Sequence, residues 1–145
     1  MIQPKAPAIH REEFAVPESA IDRNGHVNNV AFVQWMQDVA TRHFDSGGVN
    51  AAMEAAGGTW VARSHKIEYL SPAFAGECLQ ALTWIVEFSR VRSLRRYKFL
   101  RASDGKLRVR GETDWVFVNA KSGRPCSIPE EIKQAFVTVM QGQEP

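Results

Sequence analysis

Asp22, Asn24, Gly25, His26, Asn28 and Asn29 fall within eight consecutive residues, directly ahead of a strongly apolar run. A carboxylate and an imidazole this close together can supply a base or a nucleophile. The first amides of a helix lack intrahelical partners and lie at the positive end of its dipole, so they attract negative charge. Such a grouping suits reactions in which a carbonyl oxygen becomes an oxyanion. Each residue also has a purely structural use. Aspartate favours turns, a histidine can fix a loop by bonding to its backbone, and Asn28 or Asn29 can cap the helix by accepting from its free amides. Capping and catalysis are compatible, because the cap sets the direction of the amides. Gly25 supplies a backbone shape that a side chain would obstruct.

Hydrophobic periodicity predicts the elements that must position these groups. A first strand covers 10–16 and ends at Pro17, and 17–25 form a loop. Phe32, Trp35, Met36, Val39 and His43 recur at helical spacing over 30–44. Val33 and Ala40 widen the stripe, so this helix is buried over much of its circumference. Gly47-Gly48 stops it, and a weaker helical piece spans 49–56. Beyond Gly58 the pattern predicts strands over 59–70, 78–88, 94–102 and 107–118, with a turn at 103–106. In the last strand Leu107, Val109, Gly111, Thr113, Trp115 and Phe117 alternate with Arg108, Arg110, Glu112 and Asp114, the mark of a half-buried strand. Its end, 115–118, is apolar on both faces and implies a second layer or a subunit contact. Ser127-Ile128-Pro129-Glu130 fits a capping box, and Ile132, Phe136 and Val139 make one helical stripe. The order is strand, loop, long buried helix, four consecutive strands in a meander and a closing helix. That is an α+β chain whose sheet wraps one helix. The sheet's other face then needs a cover, which argues for at least a dimer.

The chain has 145 residues, 44% hydrophobic and 23% charged, enough for one domain with a real core. Residues 1–8 read as a loose lead-in and 141–145 as a loose tail. The formal net charge of +2 is too small to argue for nucleic acid. Arg90, Arg92, Arg95, Arg96, Lys98 and Arg101 nevertheless cluster, as a solvated strand face or as a landing site for a phosphorylated ligand. Cys78 and Cys126 lack C-x-x-C spacing and the four histidines are scattered, so no metal site is expected. Two reduced thiols fit a cytoplasmic protein. The N-terminus lacks the apolar core of a signal peptide, and no run is long enough to span a membrane.

Asp22-Arg23-Asn24-Gly25-His26-Val27-Asn28-Asn29 resembles the signature of hotdog-fold thioesterases, in the branch that includes 4-hydroxybenzoyl-CoA thioesterases. Its Asp-x-Asn-x-His-Val-Asn-Asn spelling is also similar to that of plant acyl-acyl-carrier-protein thioesterases. Glu68-Tyr69-Leu70-Ser71-Pro72-Ala73, leading to Gly76-Glu77, resembles the family's Tyr-x-x-Pro and later Gly-Asp, with Glu77 departing from the commoner aspartate. The second hotdog half of the plant enzymes is absent, so nothing that half contributes carries over.

The resemblance implies a hotdog fold and an acyl-CoA substrate. Asp22 becomes the catalytic carboxylate, as nucleophile on the thioester or as base toward water. The Asn29 N–H polarises the carbonyl, and Asn24 and His26 help to organise the site. Gly25 and Asn28 shape the substrate's surroundings. Arg90 and Arg92 match the region that holds coenzyme A phosphates; Arg63, with His65 and Lys66 on the same predicted strand, reads as a solvent-facing polar stripe or as an approach to the pantetheine or those phosphates. The resemblance further implies a homodimer or a dimer of dimers, with no metal, no redox cofactor, no nucleic acid and no membrane. Thioester hydrolysis is chemically undemanding at the leaving group, because a thiolate whose acid has a pKa of about 8.5 departs with little help. The alternatives are an acyl-carrier-protein thioesterase, a hydratase or dehydratase on the same fold, and a non-catalytic acyl-CoA binding module.

Overall fold

The computed structural model describes residues 4–145. The strands are β1 (Ile9–Ala15), β2 (Gly58–Tyr69), β3 (Cys78–Phe88), β4 (Arg92–Arg101) and β5 (Leu107–Asn119); the helices are α1 (Asn29–Ser46), α2 (Asn50–Ala55) and α3 (Glu130–Gln134). The strands form one antiparallel sheet in the order β1-β3-β4-β5-β2. This corrects the expected four-strand meander. Only β3, β4 and β5 follow one another; β2 crosses to the far edge and pairs with β5, and β1 takes the edge beside β3.

α1 lies against this sheet for the reason its stripe predicts. Phe32, Met36, Val39, Ala40 and His43 are buried, and the first four meet Leu79, Ala81, Tyr97, Phe99 and Val109 from the strands. Gly111 makes the closest approach possible: a Cβ there would come within 2.8 Å of Met36 Cε. Asn28 caps the helix, its Oδ1 accepting from Val30 N at 2.8 Å.

The outer face of the sheet is partly covered by the chain itself. Leu82 and Trp84 of β3 are buried against Val139. The tail beyond is docked rather than loose: the Glu144 carboxylate accepts from Trp84 Nε1 at 2.9 Å and from Arg96 Nη1 at 2.7 Å. Nor is the lead-in loose throughout, since Ala6 is buried and donates to the Ala135 carbonyl at 3.3 Å. Residues 1–3 of that expected lead-in lie outside the described residues. The closing helix is shorter than expected. It ends at Gln134, and no side chain caps its start, so the Ser127 capping box does not form. Phe136 and Val139 are buried all the same, with Val139 N donating to the Ile85 carbonyl from extended chain at 2.8 Å.

Two of the strand arginines are withdrawn from solvent. Arg95 and Arg108 are both buried. Arg95 Nη1 donates to His43 Nδ1 at 2.8 Å and to Thr83 Oγ1 at 3.0 Å. A guanidinium only donates, so His43 Nδ1 accepts, and Nε2 carries the ring proton toward the Pro7 carbonyl at 2.8 Å. Burial and then the Arg95 charge hold the His43 pKa down at about 4, with the stacked His10 ring adding to them and the Pro7 carbonyl opposing. Above roughly pH 6.5 neither the folded nor the unfolded chain holds this proton, and stability is full. Between there and about pH 4 the unfolded chain takes up a proton that the folded one refuses, removing up to roughly 3 kcal/mol. Denaturant midpoints are expected to fall over that window more steeply for the native protein than for His43→Gln, which can both accept from Arg95 and donate to Pro7. Parallel profiles would refute the assignment.

Candidate active site

The stretch from Ile21 to Val27 folds as a tight hairpin. Ile21 and Val27 pair antiparallel, Asp22 N donates to the His26 carbonyl at 3.0 Å, and Gly25 N donates to the Asp22 carbonyl at 3.0 Å. Gly25 sits at φ +83° with open space where a Cβ would lie, so it is required for its backbone angle and not for room. Asp22 is half-buried, and its Oδ1 accepts from Asn24 N at 2.8 Å. That bond fixes one carboxylate oxygen and leaves the other without a partner among the described residues.

The hairpin feeds straight into the helix. Val27 N donates to the Ala73 carbonyl and Asn28 N to the Ala20 carbonyl, each at 2.8 Å. Of the first-turn amides, Val30 N is taken by Asn28 Oδ1 and Ala31 N by the Asn28 carbonyl. The Asn29 N–H has no acceptor among the described residues. It is the amide that the resemblance to hotdog thioesterases implies, at the end where the helix dipole is positive.

Around it lies a collar that composition alone did not reveal. The Tyr69 hydroxyl donates to the Asn29 carbonyl at 3.1 Å, and the Phe74 ring meets the half-buried His26 ring edge-on with centroids 6.3 Å apart. Val30, Tyr69, Leu70 and Phe74 are large apolar side chains left 70%, 42%, 47% and 45% exposed. The Tyr-x-x-Pro element was the signal for Tyr69. Glu77 anchors the same loop: Oε1 accepts from Phe74 N at 2.7 Å and Oε2 from Arg108 Nη2 at 2.9 Å.

The structure does not bring every expected residue to this place. Arg63 lies on β2 six residues before Tyr69, about 20 Å along an extended strand, and Arg90 and Arg92 lie at that same distant end. Within one chain, then, the arginines and Asp22 stand apart. Arg92 is moreover engaged, paired with the Asp114 carboxylate. Arg96 is paired with Glu112 and Glu144, and Arg101 with Asp104 and Glu77. Half of the basic run is therefore neutralised by carboxylates, and it is no continuous landing strip. Arg90, bonded through Nη1 to Ser127 Oγ at 2.9 Å, and exposed Arg63 carry no carboxylate among the described residues.

Among the described residues no three His, Cys, Asp or Glu side chains gather in a way that would hold a metal ion, and both cysteines are free thiols. No helix is long and apolar enough to cross a membrane.

A family model of the thioesterase-like superfamily matches residues 16–136, from just after β1 to just past α3. The chain belongs to that superfamily. The L-carnitine dehydrogenase/betainyl-CoA thioesterase of Ruegeria pomeroyi is 26% identical over 129 residues, 89% of this chain and 26% of that protein, so the chain spans about a quarter of that relative's length. A 1,4-dihydroxy-2-naphthoyl-CoA thioesterase from Synechocystis superposes with a TM-score of 0.79 at 19% identity, covering 88% of this chain and 94% of the other. A Staphylococcus aureus protein solved in complex with CoA gives 0.78 at 20% identity, with 93% and 84% covered. These likenesses place this thioesterase-like chain in the hotdog fold, with an open five-stranded sheet.

Proposed function

We propose that the chain hydrolyses acyl-CoA thioesters to a carboxylic acid and free coenzyme A. The observation that carries this reading is the unpartnered Asn29 N–H at the start of a buried helix, immediately after a hairpin that holds Asp22 by one oxygen. The thioester carbonyl oxygen takes the Asn29 N–H, whose bond strengthens as the oxygen becomes negative; one such donor is worth about 3–4 kcal/mol in the barrier. Asp22 either attacks the carbonyl carbon, giving a mixed anhydride that water then cleaves, or removes a proton from the water that attacks the carbon directly. The thiolate of coenzyme A leaves without a general acid. Asn24 holds Asp22 through its amide, and His26 supports the hairpin through its carbonyl and borders the acyl group. The reaction as proposed draws on a carboxylate and amides and needs no metal or redox group.

The distance between Asp22 and the arginines is resolved if the site forms between two copies. β2 is twelve residues long, its outer edge pairs with nothing among the described residues, and Val61 to Ser64 are exposed. An unprotected edge of this length invites another strand. A two-fold axis crossing β2 near His65 and Lys66 sets one copy's Arg63 opposite Glu68 or Tyr69 of the other, beside the Asn29 end. Arg63 and Arg90 then reach the coenzyme A phosphates of the neighbouring site, and the exposed collar of Val30, Tyr69, Leu70 and Phe74 is covered by the acyl group and the second copy.

The test is release of free thiol from a panel of acyl-CoAs. The panel includes betainyl-CoA and 1,4-dihydroxy-2-naphthoyl-CoA, since the acyl groups named for the relatives differ this widely. Turnover of at least one member is expected; saturable CoA binding with no thiol release from any would make the chain a binding module instead.

A further inference from the structure

A second feature lies away from the hairpin. A cavity of about 350 Å³ opens beside the C-terminal half of α1, and its lining includes Phe44, Trp60, Phe88, Trp115, Phe136 and Arg95. Asp22, His26 and Asn29 are not part of it. Along α1 its nearest lining residue, Gln37, is eight residues from Asn29, a rise of about 12 Å.

The wall of this cavity holds an uncompensated cation. Arg95 is 4% exposed, and among the described residues it has no carboxylate within ion-pair distance. Both its recorded bonds leave from Nη1 and end on neutral acceptors, His43 Nδ1 and Thr83 Oγ1. Nε and Nη2 have no acceptor, yet they are not among the atoms fully sealed from solvent without a partner. They therefore face the cavity that Arg95 lines. A desolvated guanidinium without an anion is costly, and buried arginines are ordinarily paired. The Trp60 ring lines the same wall, but its indole N–H is sealed from the cavity and has no acceptor among the described residues. The one carboxylate in the lining, Asp45, is exposed and already accepts from Asn50 Nδ2 at 3.0 Å.

The geometry points to a binding site for an amphipathic carboxylate, an organic acid whose apolar body packs among the aromatic rings while its carboxylate takes the free edge of Arg95. The planar fork of a guanidinium accepts a carboxylate through two parallel bonds, which an amide or an ammonium cannot imitate. This assignment stands on the cavity and the free edge of Arg95, and its binding test is separate from the thiol-release test.

The test uses the whole protein with hexanoate and 3-phenylpropanoate as probes, each against its primary amide, and hexyltrimethylammonium as a cationic control. Binding is read from tryptophan fluorescence, from the shift in thermal midpoint, and from the Trp60 indole proton in a nitrogen-15 correlation spectrum. The acids are expected to bind saturably, to move the Trp60 signal, and to bind at least about tenfold more tightly than the amides, the margin of a charge-assisted pair. Arg95→Gln removes that preference. Since Arg95 also holds His43, Phe88→Ala serves as a second variant: it takes away a lining ring without touching that bond and weakens acids and amides alike, leaving the preference for the acid in place. Equal binding of acid and amide, tighter binding of the ammonium, or no binding of any probe would overturn the proposal.

Discussion

Replacing Asp22 by Asn is expected to lower kcat for acyl-CoA hydrolysis by about 10²–10⁴-fold, the usual contribution of a positioned base or nucleophile. Asparagine is the informative choice because the turn survives it. Its Oδ1 accepts from Asn24 N as the aspartate oxygen does at 2.8 Å, and Gly25 keeps its φ of +83°. What disappears is the negative charge and with it the attacking oxygen or base. KM is expected to move little, since the acyl and coenzyme portions are bound elsewhere, and thermal midpoints should match. Asp22→Ala also deletes the turn's acceptor, so a loss seen in that variant alone would mix catalysis with loop order. Full activity in Asp22→Asn would remove the carboxylate from the mechanism.

Glu77→Ala is expected to lower folding stability by about 3 kcal/mol, near the lower end of what removing one partner of a buried ion pair costs. Arg108 is 3% exposed and depends on Glu77 for its charge compensation, while its Nε already lacks a partner among the described residues. Its other bond, from Nη1 to Ser71 Oγ at 3.1 Å, is to a neutral group. The same carboxylate holds Phe74 N, so its loss also loosens the segment whose Ala73 carbonyl receives Val27 N. Activity should therefore fall along with stability. Denaturant titration checks the first effect, and the double variant Glu77→Ala with Arg108→Met should recover much of it by removing the stranded charge. A Glu77→Ala protein within about 0.5 kcal/mol of the native one, the range of ordinary surface substitutions, would contradict this account.

Much of this architecture was legible because it rests on periodicity. Phe32, Met36, Val39 and His43 recur at the helical period and face one core, so α1 could be placed to within two residues at each end. The strand spans followed in the same way, and 78–88 matched β3 residue for residue. Strand order was not legible, because alternation says which face a residue takes and nothing about which neighbour its strand chooses. Hence β2 was set beside β3 when it pairs with β5. Arg108 misled for a related reason: alternation assigned it correctly to the outer face, but the loop carrying Glu77 covers that face there. Arg95 gave no signal at all, because a basic residue in a basic run reads as solvated until the fold puts a helix over it. At the C-terminus, Phe136 and Val139 keep a helical spacing that the chain does not use, since Val139 bonds to Ile85 from extended backbone.

The candidate site was legible in its residue types and incomplete in its geometry. Asp22, Gly25, Asn28 and Asn29 occupy the hairpin and cap that their chemistry suggests. The arginines expected at the same place sit at the other end of β2, because a local pattern does not measure the distance between elements.

The central claim is that the Asp22 carboxylate and the Asn29 amide converge on one acyl group. A crystal structure with a ketone analogue, in which methylene replaces the thioester sulfur of an acyl-CoA, tests it most directly. The account predicts the ketone oxygen at about 2.7–3.1 Å from Asn29 N, the distance of a working oxyanion donor, with the free Asp22 oxygen facing the carbonyl carbon or a water beside it. A ketone oxygen bound elsewhere, with Asp22 turned to solvent, would contradict it.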